Sequence, residues 1–176
     1  MKKSYFISRC CISLVLQLFY SLNDSRRPFK TRISLSWCKF SFTLSSSIIS
    51  WNEAAERLEE ARWISSQDSY SLRALWHFGS LIGNNDMHYG NISFFIQKGC
   101  PMMLAPSYDM LPMSLRPNIH GQLPMDVNCQ LQPGCPSEIR ELTQHFWKQV
   151  ADSNLISEKF REIAKKTCKL FPKLSG

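Results

Sequence analysis

The sequence predicts a mostly α-helical domain with one small β-hairpin, and three observations carry that expectation. Apolar residues recur at helical spacing in four separate stretches after residue 50. One short run, Ile92-Ser-Phe-Phe-Ile96, is rich in strand formers and is followed by turn residues. The composition, 44% hydrophobic and 20% charged over 176 residues, is that of a globular chain long enough to bury one sizeable core.

The elements follow in order. Ser50-Trp-Asn-Glu53 has capping-box spacing, and Trp51, Ala54, Ala55 and Leu58 recur at i, i+3, i+4 and i+7, which predicts a helix over 51–63. Ser66 or Asp68 caps a second helix, with Leu72, Leu75, Trp76 and Gly79 on its apolar face and Gly83 as its stop. Residues 92–96 form a strand, 97–101 a turn, and 102–105 the returning strand. Five prolines between 112 and 136, without any period, predict a long loop. Ser137 caps a third helix that buries Ile139, Leu142, Phe146, Trp147 and Val150. Ser157 caps a fourth that buries Phe160, Ile163, Ala164, Thr167 and Phe171. Lys165, Lys166 and Lys169 then lie where cations favour a helix C-terminus.

The net charge of +7 does not describe a basic domain. Residues 1–50 hold eight Lys/Arg against one acid, Asp24, whereas residues 51–176 hold thirteen of each sign. Neither a nucleic acid nor a membrane is therefore expected as a direct partner. The same boundary appears in other residue types: no Gly or Ala precedes residue 51, and twelve Ser do. Residues 1–50 thus read as a segment foreign to the rest. Three origins stay open for it: translation out of frame, a secretory signal beginning at Lys2-Lys3, and an Arg- and Ser-rich transit peptide. Seven cysteines at irregular spacing, without any CxxC, suit neither a disulfide framework nor a zinc site. They read as reduced thiols of a cytoplasmic protein.

The chemistry concentrates in two loops. Gly83-Asn-Asn-Asp-Met-His-Tyr-Gly-Asn91 lies between a helix end and a strand start, and Ala105-Pro-Ser-Tyr-Asp-Met-Leu-Pro112 follows the hairpin. Asp86, Asn91 and Asp109 suit phosphoryl transfer: one carboxylate accepts the proton of a hydroxyl nucleophile, while a carboxamide and a second carboxylate hold Mg²⁺ through oxygen. Asp-x4-Asn is the spacing of the protein-kinase catalytic loop. Six Asp and eight Asn in this chain give about 0.3 such pairs by chance, so the ordered context of helix, loop, hairpin and loop matters more than the spacing. The bland alternatives are a loop or cap role for Asp86, a turn role for Asn91 and a cap role for Asp109. His88 is expected to be structural, donating to a loop carbonyl. His77 reads as a packed or half-exposed helix residue, and Met102, Met103, Met110 and Met113 as core filling. Nothing is assigned to His120 or His145.

The strings LIGNNDMHYGNISFF and LAPSYDMLPM resemble the C-terminal lobe of the HipA-like serine/threonine kinases, toxins of bacterial toxin–antitoxin systems. The resemblance covers residues 51–172, roughly the last third of a family protein. It implies a protein-kinase-like C-terminal lobe in which Asp86 is the catalytic aspartate and Asn91 and Asp109 are Mg²⁺ ligands. ATP is the implied phosphate donor. The implied partners are a protein substrate such as an aminoacyl-tRNA synthetase, and a DNA-binding antitoxin. Two departures stand out. Gly90 occupies a position that is Lys in many members, and the N-terminal lobe, with its phosphate-covering loop and anchoring Lys, has no counterpart in these residues. The expectation is a truncated form with little or no activity alone and only weak binding of ATP and Mg²⁺. The alternative is a non-catalytic remnant or partner-binding module, with the apolar surface beneath the missing lobe exposed.

Overall fold

A computed structural model describes residues 32–34, 50–97 and 99–171. Along the chain come β1 (Arg32–Ser34), α1 (Trp51–Glu60), α2 (Ser66–Ile82), β2 (Ser93–Gln97), β3 (Gly99–Leu104), α3 (Ser137–Asp152) and α4 (Glu158–Cys168). Short 3-10 turns lie at Tyr89–Asn91 and Met113–Leu115. The described residues fall into two compact units, one of 32–34, 50–76, 87–97 and 99–109, the other of 77–86 and 110–171.

In the first unit, α1 starts as the sequence predicts. Ser50 Oγ accepts the Glu53 N–H at 3.2 Å, and Trp51, Ala54, Ala55 and Leu58 are buried. The Glu53 carboxylate turns forward to Arg57, at 2.6 Å. The cap of α2 is Ser65, not Ser66 or Asp68. Its Oγ accepts the Asp68 N–H at 3.1 Å and donates to Asp68 Oδ2 at 2.8 Å. Asp68 is thus the acid of a capping box three residues beyond the cap. It is only 6% exposed, and its Oδ1 accepts the Leu104 N–H at 3.2 Å, tying the helix start to the end of β3.

The hairpin belongs to a three-stranded antiparallel sheet in the order β1-β2-β3. Phe94 pairs with Leu104 on one side and with Ile33 on the other. The third strand was not expected, because pairing three residues through their main chain leaves no periodicity in the sequence. The remainder of residues 1–50, with the out-of-frame, signal and transit readings of it, lies outside the described residues. The turn is also tighter than the expected 97–101, since Gln97 pairs with Gly99. Pro101 lacks an N–H, and among the described residues β3 is the outer strand of this sheet, met on its far side only by the bridge from Ile64 to Met102, whose N–H bonds to the Trp63 carbonyl at 2.8 Å.

The predicted single apolar face of α2 is too narrow. Ser69, Ala74, His77, Phe78, Leu81 and Ile82 are buried along with Leu72 and Leu75, while Trp76 is half-buried. A helix shielded on most sides is a central one. In the second unit, the Phe146 ring meets Phe78 edge-on at 5.8 Å and Trp147 at 5.0 Å. α3 buries Ile139, Phe146, Trp147 and Val150, but Leu142 is only half-buried. The Thr143 hydroxyl, bonded to the Ile139 carbonyl at 2.7 Å, is inside instead. Ser137 is the first residue of α3 and Pro136 takes the cap position. α4 buries Phe160, Ile163, Ala164 and Thr167 as expected, but it ends at Cys168, so Phe171 is buried beyond the helix, and Ser157 holds the cap position without a side-chain cap bond. Residues 112–136 form the long loop, interrupted by the 3-10 turn at Met113–Leu115.

α2 ends at Gly83, whose φ of +74° lies in the left-handed region that side chains disfavour. A Cβ there meets Ser114 Oγ and, at 2.7 Å, a Val127 methyl. Gly83→Ala is expected to lower stability by about 1–3 kcal/mol through the backbone alone, and by more through the clash, read by urea unfolding. Asp68→Ala strands the Leu104 N–H and is expected to cost about 1–3 kcal/mol in the same measurement.

Four cysteines are free among the described residues, as reduced thiols would be. Burial pushes the Cys129 thiol up to about 12, and it also raises Cys135 and Cys168. At about pH 9 only ~10⁻³ of Cys129 is thiolate. Alkylation in the folded chain should therefore mark exposed Cys100 well before Cys129, with the difference erased in urea, as mass spectrometry of the labelled peptides will report. The unfolded thiol ionises first, so Cys129 makes the fold less stable as pH rises from about 9 through about 12.

Candidate functional site

The loop after α2 places Asp86, Asn91 and Asp109 differently. Asp86 closes one stretch of the second unit and is exposed. Asn91 and Asp109 belong to the first unit.

Asp86 follows the helix stop directly. The Asn84 N–H reaches back to the Gly79 carbonyl at 2.9 Å, and the Asn84 side chain turns inward, leaving the residue 4% exposed. Asn84 Oδ1 accepts the Asp86 N–H at 3.0 Å, an Asx turn that presents the Asp86 carboxylate to solvent. Asn84 was missed in the sequence because its neighbour Asn85 offers the same side chain. Only burial separates the two.

Asn91 ends the 3-10 turn that begins at Tyr89, and is 4% exposed. His88 caps that turn, but not by donating to a carbonyl as expected. Its Nδ1 accepts the Gly90 N–H at 3.0 Å, so the ring proton sits on Nε2 when the imidazole is neutral. The exposed ring serves the backbone, which is the structural role foreseen for it. At Gly90, where many kinases of the resembled type carry Lys, a Cβ would meet the exposed His88 ring at 2.7 Å, so a side chain there requires the ring to leave its bond to the Gly90 N–H. Tyr89 is half-buried, and its phenol is raised by burial and then by Glu53, against the opposing effect of Arg57.

The Tyr108 hydroxyl donates to the Gly90 carbonyl. That bond joins the residue before Asn91 to the residue before Asp109, so the two loops flanking the hairpin converge within the first unit. Among the described residues two non-glycine residues have positive φ, Arg62 at 58° and Asp109 at 59°. Arg62 follows the end of α1, where the Trp63 N–H bonds to the Leu58 carbonyl and a left-handed residue is ordinary. Asp109 follows no helix. Backbone held in that region away from a helix end concentrates at functional sites. The Ser107 hydroxyl on the same loop is shut from solvent, with no hydrogen-bond partner among the described residues.

The carboxamide of Asn91 and the carboxylate of Asp109 are hard oxygen donors, which suits Mg²⁺ carried on a nucleotide whose phosphates and waters complete its shell. Among the described residues no three of His, Cys, Asp and Glu gather into a metal site. In the second unit, a cavity of about 320 Å³ is walled by Leu111, Pro112, Met113, Leu115, Leu123 and Phe160, among others. No carboxylate lines it, so it offers no proton acceptor. Met102 and Met110 are buried, as expected of core filling, while Met103 and Met113 are half-buried. His120 and His145 are exposed, the latter beside Gln149 at 3.0 Å. Among the described residues no helix is long and apolar enough to cross a membrane.

Comparison with known proteins gives the family of the chain. The sequence model of the HipA-like C-terminal domain matches residues 32–174, a span that begins with β1 and precedes the change of composition near Ser50. Toxin YjjJ of Escherichia coli (strain K12) is 38% identical over 147 residues, covering 81% of this chain and 32% of the toxin. The chain therefore spans about a third of the length of that relative. No solved structure matches. On the extent of the family match and the identity to this toxin, the chain belongs to the HipA-like C-terminal domain family.

Proposed function

We propose that the chain is the catalytic-loop part of a HipA-like serine/threonine protein kinase, moving the γ-phosphate of ATP to a protein hydroxyl. The observation that carries this reading is the Tyr108–Gly90 hydrogen bond, which brings together the backbone next to Asn91 and next to Asp109. Asp86 is read as the acceptor of the hydroxyl proton. Asn91 and Asp109 are read as the protein ligands of Mg²⁺, which when bound shields the charge between the β- and γ-phosphates. A lone carboxylate on a turn can orient a nucleophile, but two oxygen donors hold Mg–ATP only weakly. We therefore read these residues as transferring little or no phosphate by themselves, and as acting together with a lobe that anchors the triphosphate. An aminoacyl-tRNA synthetase as acceptor, a DNA-binding antitoxin as partner and a cytoplasmic setting are parts of the same reading.

Two measurements test it. Calorimetry of the chain with Mg²⁺ and ATP should show no binding at micromolar concentrations; micromolar affinity would mean that these residues hold the triphosphate unaided. For transfer, the chain is joined to the N-terminal part of the E. coli relative and given radiolabelled ATP. Asp86→Asn keeps the shape of the side chain and removes the proton acceptor, so transfer should fall about 10²–10⁴-fold. Asp109→Ala should be comparably silent, whereas His88→Ala should retain much of the activity, because its ring only supports a turn. Undiminished transfer by Asp86→Asn would refute the assignment.

A further inference from the structure

At the end of α2 the main chain turns back on itself: Gly83 N–H bonds to the Ser80 carbonyl at 3.3 Å, and Asn84 N–H to the Gly79 carbonyl at 2.9 Å. The helix needs nothing from the Asn84 side chain. That side chain is nevertheless buried, although Asn85 and Asp86 after it are exposed, and it lies against the buried Met110. A buried carboxamide must place both an acceptor and its donors. Its acceptor goes to the Asp86 N–H at 3.0 Å and its Nδ2 approaches Met110 Sδ at 3.5 Å. The orientation of the amide is fixed chemically, since only an oxygen can accept the Asp86 N–H. A second tie acts on the same loop: the Ser114 N–H donates to the Gly83 carbonyl at 2.9 Å.

We propose that Asn84 is a positioning residue for Asp86. Its oxygen fixes the backbone from which the Asp86 carboxylate projects. Its nitrogen refers that backbone to Met110, the residue that follows Asp109 in the chain. The direction of an exposed carboxylate is thereby set from inside the second unit. The inference rests on the reading of Asp86 as proton acceptor, and it adds a residue that touches neither substrate nor metal in that reading. A shape-determined role would be filled by any side chain of similar volume, whereas a positioning role requires an acceptor at Oδ1.

The test has two arms. In the chain itself, amide hydrogen exchange read by NMR should show Asp86 exchanging at least about 10-fold faster in Asn84→Ala, with the Trp147 indole resonance unmoved. Asn84→Asp keeps an oxygen for the Asp86 N–H and loses the donor to Met110, so it should restore the protection of Asp86. It also guards against an alanine variant that fails to fold. In the chain joined to the N-terminal part of the E. coli relative, Asn84→Ala should lower kcat about 10–100-fold with KM for ATP unchanged, and Asn84→Asp should recover part of the loss. Unchanged protection of Asp86 in Asn84→Ala overturns the proposal. So does unchanged kcat in a protein that Asp86→Asn silences. If Asp86→Asn itself leaves transfer intact, the reading of Asp86 as proton acceptor falls and the positioning role falls with it, while the exchange arm still reports whether the hydrogen bond exists.

Discussion

A helix buried on most sides has to satisfy its terminal N–H and C=O groups with protein rather than with water, and α2 is such a helix. At its start, Ser65 and Asp68 form a reciprocal cap, and the buried Asp68 carboxylate goes on to accept the Leu104 N–H of β3. At its end, the donors come from far along the chain. The Ser80 carbonyl takes the Gln130 N–H at 3.0 Å, the Leu81 carbonyl takes Trp147 Nε1 at 3.5 Å, and the Gly83 carbonyl takes the Ser114 N–H. Within the first unit the sheet is fixed to the start of α2, and within the second unit the long loop and α3 are fixed to its end. The polar ends of one helix thus organise what surrounds each of them.

Each candidate residue takes its local geometry from the unit that holds it. Asp86 lies three residues beyond Gly83, too near the helix end to be independent of it. The turn through Gly83 and Asn84 is the means by which a rigid, buried helix presents an exposed carboxylate. Within the first unit, Asn91 and Asp109 flank a hairpin whose register is set by main-chain pairing and by Asp68. Tyr108 then needs only one hydrogen bond to the Gly90 carbonyl to hold the two ends together. The positive φ of Asp109 is a local strain that this frame supports.

The most distinctive sequence signals of this chain are in its loops. Core positions in the four helices accept many apolar residues of similar volume, so they announce a helix without announcing a chemistry. A carboxylate and a carboxamide five positions apart, followed by a hairpin and a second carboxylate, are a narrower pattern, because far fewer chains place these residue types in that order of elements.

The sequence by itself determined the four helices, the hairpin, the long proline-rich loop and the core residues of α4, because amphipathic period and turn chemistry are local properties. It also exposed Asp86, Asn91 and Asp109 as the residues worth following. Tertiary structure decided what depends on partners distant in sequence. Burial of α2 on most sides is one example, since Phe78, Leu81 and Ile82 are needed inside only when packing surrounds them. The addition of β1 to the sheet is another, because three residues of main-chain pairing carry no pattern. The choice of Ser65 over Ser66 as cap depended on which hydroxyl could reach the N–H of Asp68 while that carboxylate also served Leu104. Asn84 was distinguished from Asn85 in the same way: the two are chemically identical on paper, and only the inward turn after Gly83 gave one of them a backbone to hold.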